Sequence, residues 1–227
     1  MPYGSRSEAA IDHYTRQAMD FMFAQGCSLI VLACNTASAT ALRRMQQEWL
    51  PRAHPGCNIL GVVVPTLETA LESGYKKLGL IATTYSVRSQ VYVEELRKLN
   101  PSISLIQKAT PLLVPMIEND GMPFIEDVLR HYLAPLQEEG IECLILGCTH
   151  YIFLKDHIRR ILGPKVAILA QDEIIPAKLS QYLVRHPEYD VGKAARTRYL
   201  VSDITENYMK AANEIYGGPI QIERAAA

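Results

Sequence analysis

The chain has 227 residues, a formal net charge of −1, 48% hydrophobic and 21% charged residues. That is an ordinary globular balance without long runs of like charge, which argues against nucleic acid or an anionic membrane as the main partner. Its five cysteines are an odd number in a chain too large to need stapling, Met1-Pro2-Tyr3-Gly4-Ser5-Arg6 has no apolar signal core, and no apolar run nears the roughly 20 residues of a membrane helix, so free thiols in the cytoplasm are expected.

Ala9, Ile11, Tyr14, Ala18, Met19, Phe21 and Met22 recur at helical spacing and predict a helix over 7–25, stopped by Gly26. Ser28–Ala33 reads as a first strand, 36–49 as a helix ended by Pro51, and Asn58–Val63 as a second strand. Pro65 opens a helix to about 74, where Gly74 ends it. Lys77–Ala82 is a third strand, followed by a helix to about Leu99 and a short strand at Ile103–Gln107. Helices over 112–118 and 123–138, a strand at Glu142–Gly147 and a helix over 151–162 come next. Val166–Ala170 (strand), 173–184 (helix), Thr197–Val201 (strand) and 204–216 (helix) complete the alternation, and His186–Ala195 is the expected linker. Strands alternating with helices of this length specify βαβ units and parallel sheet, an α/β fold.

Two cysteines stand out within that pattern. Cys34 closes the apolar run Val31-Leu32-Ala33 and leads into Asn35-Thr36-Ala37-Ser38; Cys148 closes Leu144-Ile145-Leu146-Gly147 and leads into Thr149-His150. Each falls just past a strand, where α/β sheets carry ligands, and faces the start of a helical segment whose partial positive charge favours a thiolate. Two thiols on opposite faces of a small carbon acid can take a proton from one side and return it from the other, which is general acid–base catalysis without a metal or cofactor. Asn35, Thr36 and Thr149 suit carboxylate binding, and His150 could share or relay the proton of Cys148. The remaining cysteines, 27, 57 and 143, read as small packing residues. Thr83, Ser86 and Ser89 are equally compatible with plain helix capping.

At these motifs the chain resembles the aspartate/glutamate racemase family, its glutamate racemases in particular. Ala33-Cys34-Asn35-Thr36-Ala37-Ser38 is similar to the family's first catalytic box and Gly147-Cys148-Thr149-His150-Tyr151 to its second. Pro2-Tyr3-Gly4 resembles a substrate-contacting loop. Thr83, Ser86, Ser89 and Tyr92 follow the family's threonine/serine pattern, and Val114-Pro115-Met116-Ile117-Glu118 resembles the segment whose glutamate supports the second catalytic half. The resemblance implies Cys34 and Cys148 as acid/base residues, with His150 beside them. Tyr3, Gly4, Asn35, Thr36, Thr149 and His150 would surround an amino acid, with Glu118 and Thr83 in support. It also implies no cofactor and no metal. The substrate would be glutamate, and the D-glutamate formed would feed peptidoglycan synthesis; a homodimer is compatible with it.

The implied architecture is two pseudo-symmetric parallel-sheet α/β domains facing across a cleft. Residues 1–62 plus 174–227 would form the first and 63–173 the second. Family members open with a strand ending in an Asp-Ser-Gly loop, for which this chain has no counterpart, so the first domain is expected to be incomplete. A truncated chain that is a poor or inactive racemase is the expectation. The alternatives are a racemase of aspartate, another amino acid or a hydantoin, or a catalytically dead remnant that binds an amino acid or a partner.

Overall fold

The structure, a computed structural model, describes residues 3–190, 192 and 197–225. Pro2 of the expected loop and part of the expected 186–195 linker lie outside these residues. After a 3-10 turn at Tyr3–Ser5 come α1 (Glu8–Ala24), β1 (Leu29–Leu32), α2 (Asn35–Thr40), the short turns α3 (Leu42–Arg44) and α4 (Leu50–Ala53), and β2 (Asn58–Gly61). The chain continues through α5 (Val63–Glu72), β3 (Lys77–Ala82), α6 (Thr84–Arg88), α7 (Val91–Leu99), β4 (Ser104–Ala109), α8 (Leu113–Glu118) and α9 (Ile125–Glu138). Then follow β5 (Cys143–Gly147), α10 (Lys155–Leu162), β6 (Ala167–Leu169) and α11 (Gln171–Arg185). These elements lie in one unit, Met1–Arg185. A second unit, His186–Ala227, holds β7 (Tyr199–Val201), α12 (Glu206–Tyr216) and β8 (Ile222–Arg224), with β7 and β8 parallel.

All pairings among the described strands are parallel. In the larger unit β1 pairs with β2, and a four-stranded sheet runs in the order β4-β3-β5-β6. Side chains of β3 and β5 alternate between two cores, as the two-residue period of a strand demands. Leu78, Leu80, Cys143 and Ile145 pack with Val63, Leu67, Tyr92 and Leu96 of α5 and α7. Ile81, Leu144 and Leu146 pack on the other face with Leu113, Leu129, Leu133 and Ile158 of α8, α9 and α10. Each wholly buried leucine contributes about 1.5–3 kcal/mol of transfer free energy, so both faces hold the sheet firmly beneath the site. A third cluster joins Ile11, Met19 and Phe23 of α1 to Ile30, Leu32 and Ile59 of the smaller sheet. Ser7 starts α1 by accepting the Ala10 N–H at 3.3 Å.

The structure departs from the expected elements in three places. The helical run after Cys34 continues past Pro51 to Ala53, because a π-helical turn at Met45–Trp49 resets the hydrogen-bond register and leaves Pro51 in the first turn of α4. There its missing N–H would have had no partner. The helix expected up to Leu99 is two helices, since Gln90 adopts φ +58° and turns the chain so that α7 carries Tyr92 into the interior. Finally, β8 adds a strand beyond the expected ones.

Candidate active site

Cys34 occupies the N-cap of α2 in extended conformation, two residues past β1, with the backbone N–H groups of Thr36 and Ala37 near enough to favour its thiolate. The next two side chains, Asn35 and Thr36, are buried. Thr36 Oγ1 lies 3.0 Å from Thr83 Oγ1, which in turn lies 3.0 Å from Ser86 Oγ and accepts the Ser86 N–H at 3.3 Å. Thr83 therefore both caps α6 and ties the first cysteine box to the end of β3. Gly4 presses on the same threonine: a Cβ there would fall 2.6 Å from Thr83 Cβ. Tyr3 is near enough to Cys34 for the thiolate charge to add to the burial that raises its own hydroxyl pKa.

Cys148 is built the same way at the end of β5. Gly147 lets the strand approach β3 so closely that a Cβ would meet Leu80 Cδ1 at 2.7 Å and Ile81 O at 3.0 Å. Cys148 then occupies the N-cap of the 3-10 turn Thr149–Leu154, where the His150 backbone N–H and the Thr149 hydroxyl favour its thiolate. His150 Nδ1 lies 3.8 Å from that sulfur, and His150 Nε2 lies 2.9 Å from Glu118 Oε1 at the end of α8. A carboxylate can only accept, so Nε2 donates to Glu118, and in the neutral ring Nδ1 is then the acceptor facing the thiol. Behind the turn, Tyr151 and Thr110 share a buried hydroxyl contact at 2.6 Å.

The pull of the helix starts toward thiolate is opposed by burial. Desolvation pushes the Cys148 thiol up to about 12, with the charges of Cys34 and Glu118 adding to it, against the opposing His150 N–H and Thr149 hydroxyl. Burial likewise raises Cys34, against the N–H groups of Ala37 and Thr36. A few backbone dipoles do not offset the loss of water around a buried charge. The charge of Cys34 is felt at Cys148, and the hydroxyl of wholly buried Tyr92 is raised by burial and by both sulfurs.

The structure thus brings Cys34, Asn35, Thr36, Tyr3, Gly4 and Thr83 together on one side, and Cys148, Thr149, His150 and Glu118 on the other. A cavity of about 300 Å³ is lined by Gly4, Thr83, Thr110, Val114 and Tyr151 among others; neither Cys34 nor Cys148 is among its lining residues. Two further residues meet the site. Gln171, at the start of α11, is hydrogen-bonded to Asn35 across 136 residues of sequence, and Tyr92 donates to the same side chain. Tyr92 was visible only as part of a motif; Gln171 carries no local signal. Among the described residues, no group of three His, Cys, Asp or Glu side chains is placed to hold a metal, and no helix is long and apolar enough to cross a membrane.

Known proteins resemble this chain in sequence and fold. A family model for Asp/Glu/Hydantoin racemase matches residues 1–171. The glutamate racemase of Phenylobacterium zucineum (strain HLK1) is 34% identical over 99% of this chain and 87% of its own length. The crystal structure of glutamate racemase isoform RacE1 from Bacillus anthracis matches with a TM-score of 0.90 at 26% identity, over 98% of this chain and 83% of that one. Glutamate racemase from Francisella tularensis subsp. tularensis SCHU S4, solved in complex with D-glutamate, matches with a TM-score of 0.85 at 27% identity, over 99% of this chain and 82% of that one. With an α/β fold of parallel sheets and a family match covering most of its length, this chain belongs to the Asp/Glu/Hydantoin racemase family of isomerases.

Proposed function

We propose that the protein interconverts L- and D-glutamate, with Cys34 and Cys148 as the two acid/base groups. The observation that supports this reading is the repeated strand–cysteine–turn arrangement, with Cys148 buried, Cys34 half-buried, and the charge of Cys34 felt at Cys148. One sulfur, as thiolate, takes the α-proton; the other, as thiol, delivers a proton to the opposite face of the planar carbanion, and the reverse reaction exchanges the roles. Because burial keeps both sulfurs protonated at neutral pH, each must lose its proton to become a base. His150 Nδ1, oriented by Glu118, accepts that proton at Cys148. Cys34 becomes a thiolate by giving its proton to the carbanion when Cys148 is the base, the Thr36 and Ala37 N–H groups favour that thiolate, and solvent returns the proton between turnovers.

Asn35, Thr36, Thr149, Tyr3 and Gly4 surround the substrate in this reading, and Thr83 braces Thr36. The reaction needs no cofactor. The division into one half of 1–62 plus 174–227 and another of 63–173 is part of the same proposal, as are the cytoplasmic location and the supply of D-glutamate to peptidoglycan synthesis.

The test is α-deuterium incorporation into each enantiomer of glutamate in D₂O, followed by NMR. Slow exchange is expected in the 227-residue chain. Cys34→Ala and Cys148→Ala should each reduce it by about 10²–10⁴-fold, the usual share of a positioned acid or base. Exchange that survives both substitutions sinks the mechanism; exchange of aspartate in preference to glutamate moves the substrate assignment.

A further inference from the structure

Asn35 lies directly after Cys34 and is 2% exposed, so every hydrogen-bonding position on its amide must find a partner. An asparagine amide offers two acceptor lone pairs and two N–H donors. Both lone pairs of Oδ1 are taken: Tyr92 O–H donates at 2.5 Å and Gln171 Nε2 donates at 2.5 Å. One N–H is taken as well, since Asn35 Nδ2 donates to Gln171 Oε1 at 2.8 Å. What remains is a single N–H.

A pair of amides facing each other could be reversed as a unit with no loss of bonds, so the sense of this one needs a cause. It lies one step further back. Thr66 Oγ1 donates to the backbone carbonyl of Val62 at 2.7 Å, and a carbonyl can only accept. The Thr66 hydroxyl therefore turns a lone pair toward Gln171, whose Nε2 lies 3.4 Å away. That places the NH₂ end of Gln171 beside both Thr66 and Asn35 Oδ1, and its oxygen beside Asn35 Nδ2. Tyr92, donating to the same Oδ1 from α7, agrees with that sense. One backbone carbonyl thus orients four side chains drawn from α5, α11, α7 and α2.

We infer that Gln171 and Tyr92 are positioning residues, which saturate the oxygen of Asn35 so that the amide beside Cys34 has only a hydrogen-bond donor to offer a ligand. The inference rests on the glutamate reading given above and narrows it. A donor-only amide recognises a carboxylate oxygen and has nothing to give an ammonium group. Neither Gln171 nor Tyr92 need touch the substrate; both act through Asn35.

The experiment compares Tyr92→Phe and Gln171→Met, each alone and in an Asn35→Ala background. Binding of D-glutamate and of glutarate, the dicarboxylate without an amino group, is measured by calorimetry. In the otherwise unchanged protein each substitution should weaken both ligands by about tenfold, the order expected for one hydrogen bond to a charged group. In the Asn35→Ala background neither should weaken them further, because the side chain through which they act is gone. A merely structural role predicts the same loss in both backgrounds and overturns the inference. So does a loss of glutamate affinity with glutarate binding unchanged, which would mean that Asn35 reads the ammonium. A ligand-free readout stands beside these: the Asn35 side-chain amide protons, assigned by NMR against Asn35→Ala, should exchange slowly with solvent and become fast in both single variants. Slow exchange retained in both overturns the inference even if the protein binds no glutamate, whereas fast exchange in both with no glutamate binding leaves the lock in place and rejects the substrate.

Discussion

The two cysteine regions share a backbone plan and differ in what stands behind the sulfur. Both cysteines occupy the N-cap of a helical turn just past a parallel strand, and burial raises both thiols. Around Cys34 the opposing groups are the N–H groups of Ala37 and Thr36, while the neighbouring side chains form a hydroxyl cluster and an amide lock. Cys148 instead has His150 and Glu118 in line behind it. Local geometry repeats because it is set by strand ends and turns; the groups that move a proton do not repeat, because they arrive from different elements. A two-sided reaction requires opposed sulfurs and tolerates unlike support for each.

The comparison breaks most sharply at His150. His150→Asn should lower kcat/KM by about 10²-fold if Nδ1 is the base serving Cys148, within the range for a general base. The drop must be equal for D- and L-glutamate, because enantiomers are equally stable and their equilibrium constant is one. Glu118→Gln should cost less, since it disturbs only the tautomer. Initial rates from both enantiomers check this, and full activity in His150→Asn would make the two regions functionally alike.

Titration of Cys148 sharpens the contrast in stability. Its thiol is raised from about 9 in the unfolded chain to about 12 in the folded one. Its contribution is therefore fully present below pH 9 and is lost as pH rises toward 12, because the unfolded chain gives up its proton first. The limiting slope is about 1.4 kcal/mol per pH unit. Urea unfolding of wild type and Cys148→Ala between pH 8 and 11 should show a shallower decline in the variant. Parallel declines would mean that the sulfur is better hydrated than its burial implies.

The smallest effect is expected at Gly4. A methyl group there meets Thr83 Cβ at 2.6 Å, so Gly4→Ala must displace Thr83 from Thr36. Overpacking of this kind costs about 1–3 kcal/mol, and the lower end suits a site near the chain surface. Thermal unfolding should register the loss, with KM for glutamate rising several-fold. An unchanged KM would detach Thr83 from the Cys34 region.

Much of this was legible because it is local. Short apolar runs marked β3 and β5, turn residues marked their ends, and Cys148 stood where those two signals meet. Thr83 was legible as a cap for the same reason. Pro51 misled, because a register shift in the preceding turn changes what a proline costs. Local signals also pointed to thiolates, since a helix start is visible in a sequence and the depth of burial is not.

The amino acids alone determined the alternation of strands and helices, the two cysteine turns and the identity of the flanking polar residues, all through interactions spanning a few positions. Only the tertiary structure decided that Glu118 stands behind His150, that desolvation outweighs the helix starts, and that Gln171 turns the Asn35 amide. These depend on which distant segments exclude water from one another, and a buried polar group takes its partner from whatever the fold brings within about 3 Å.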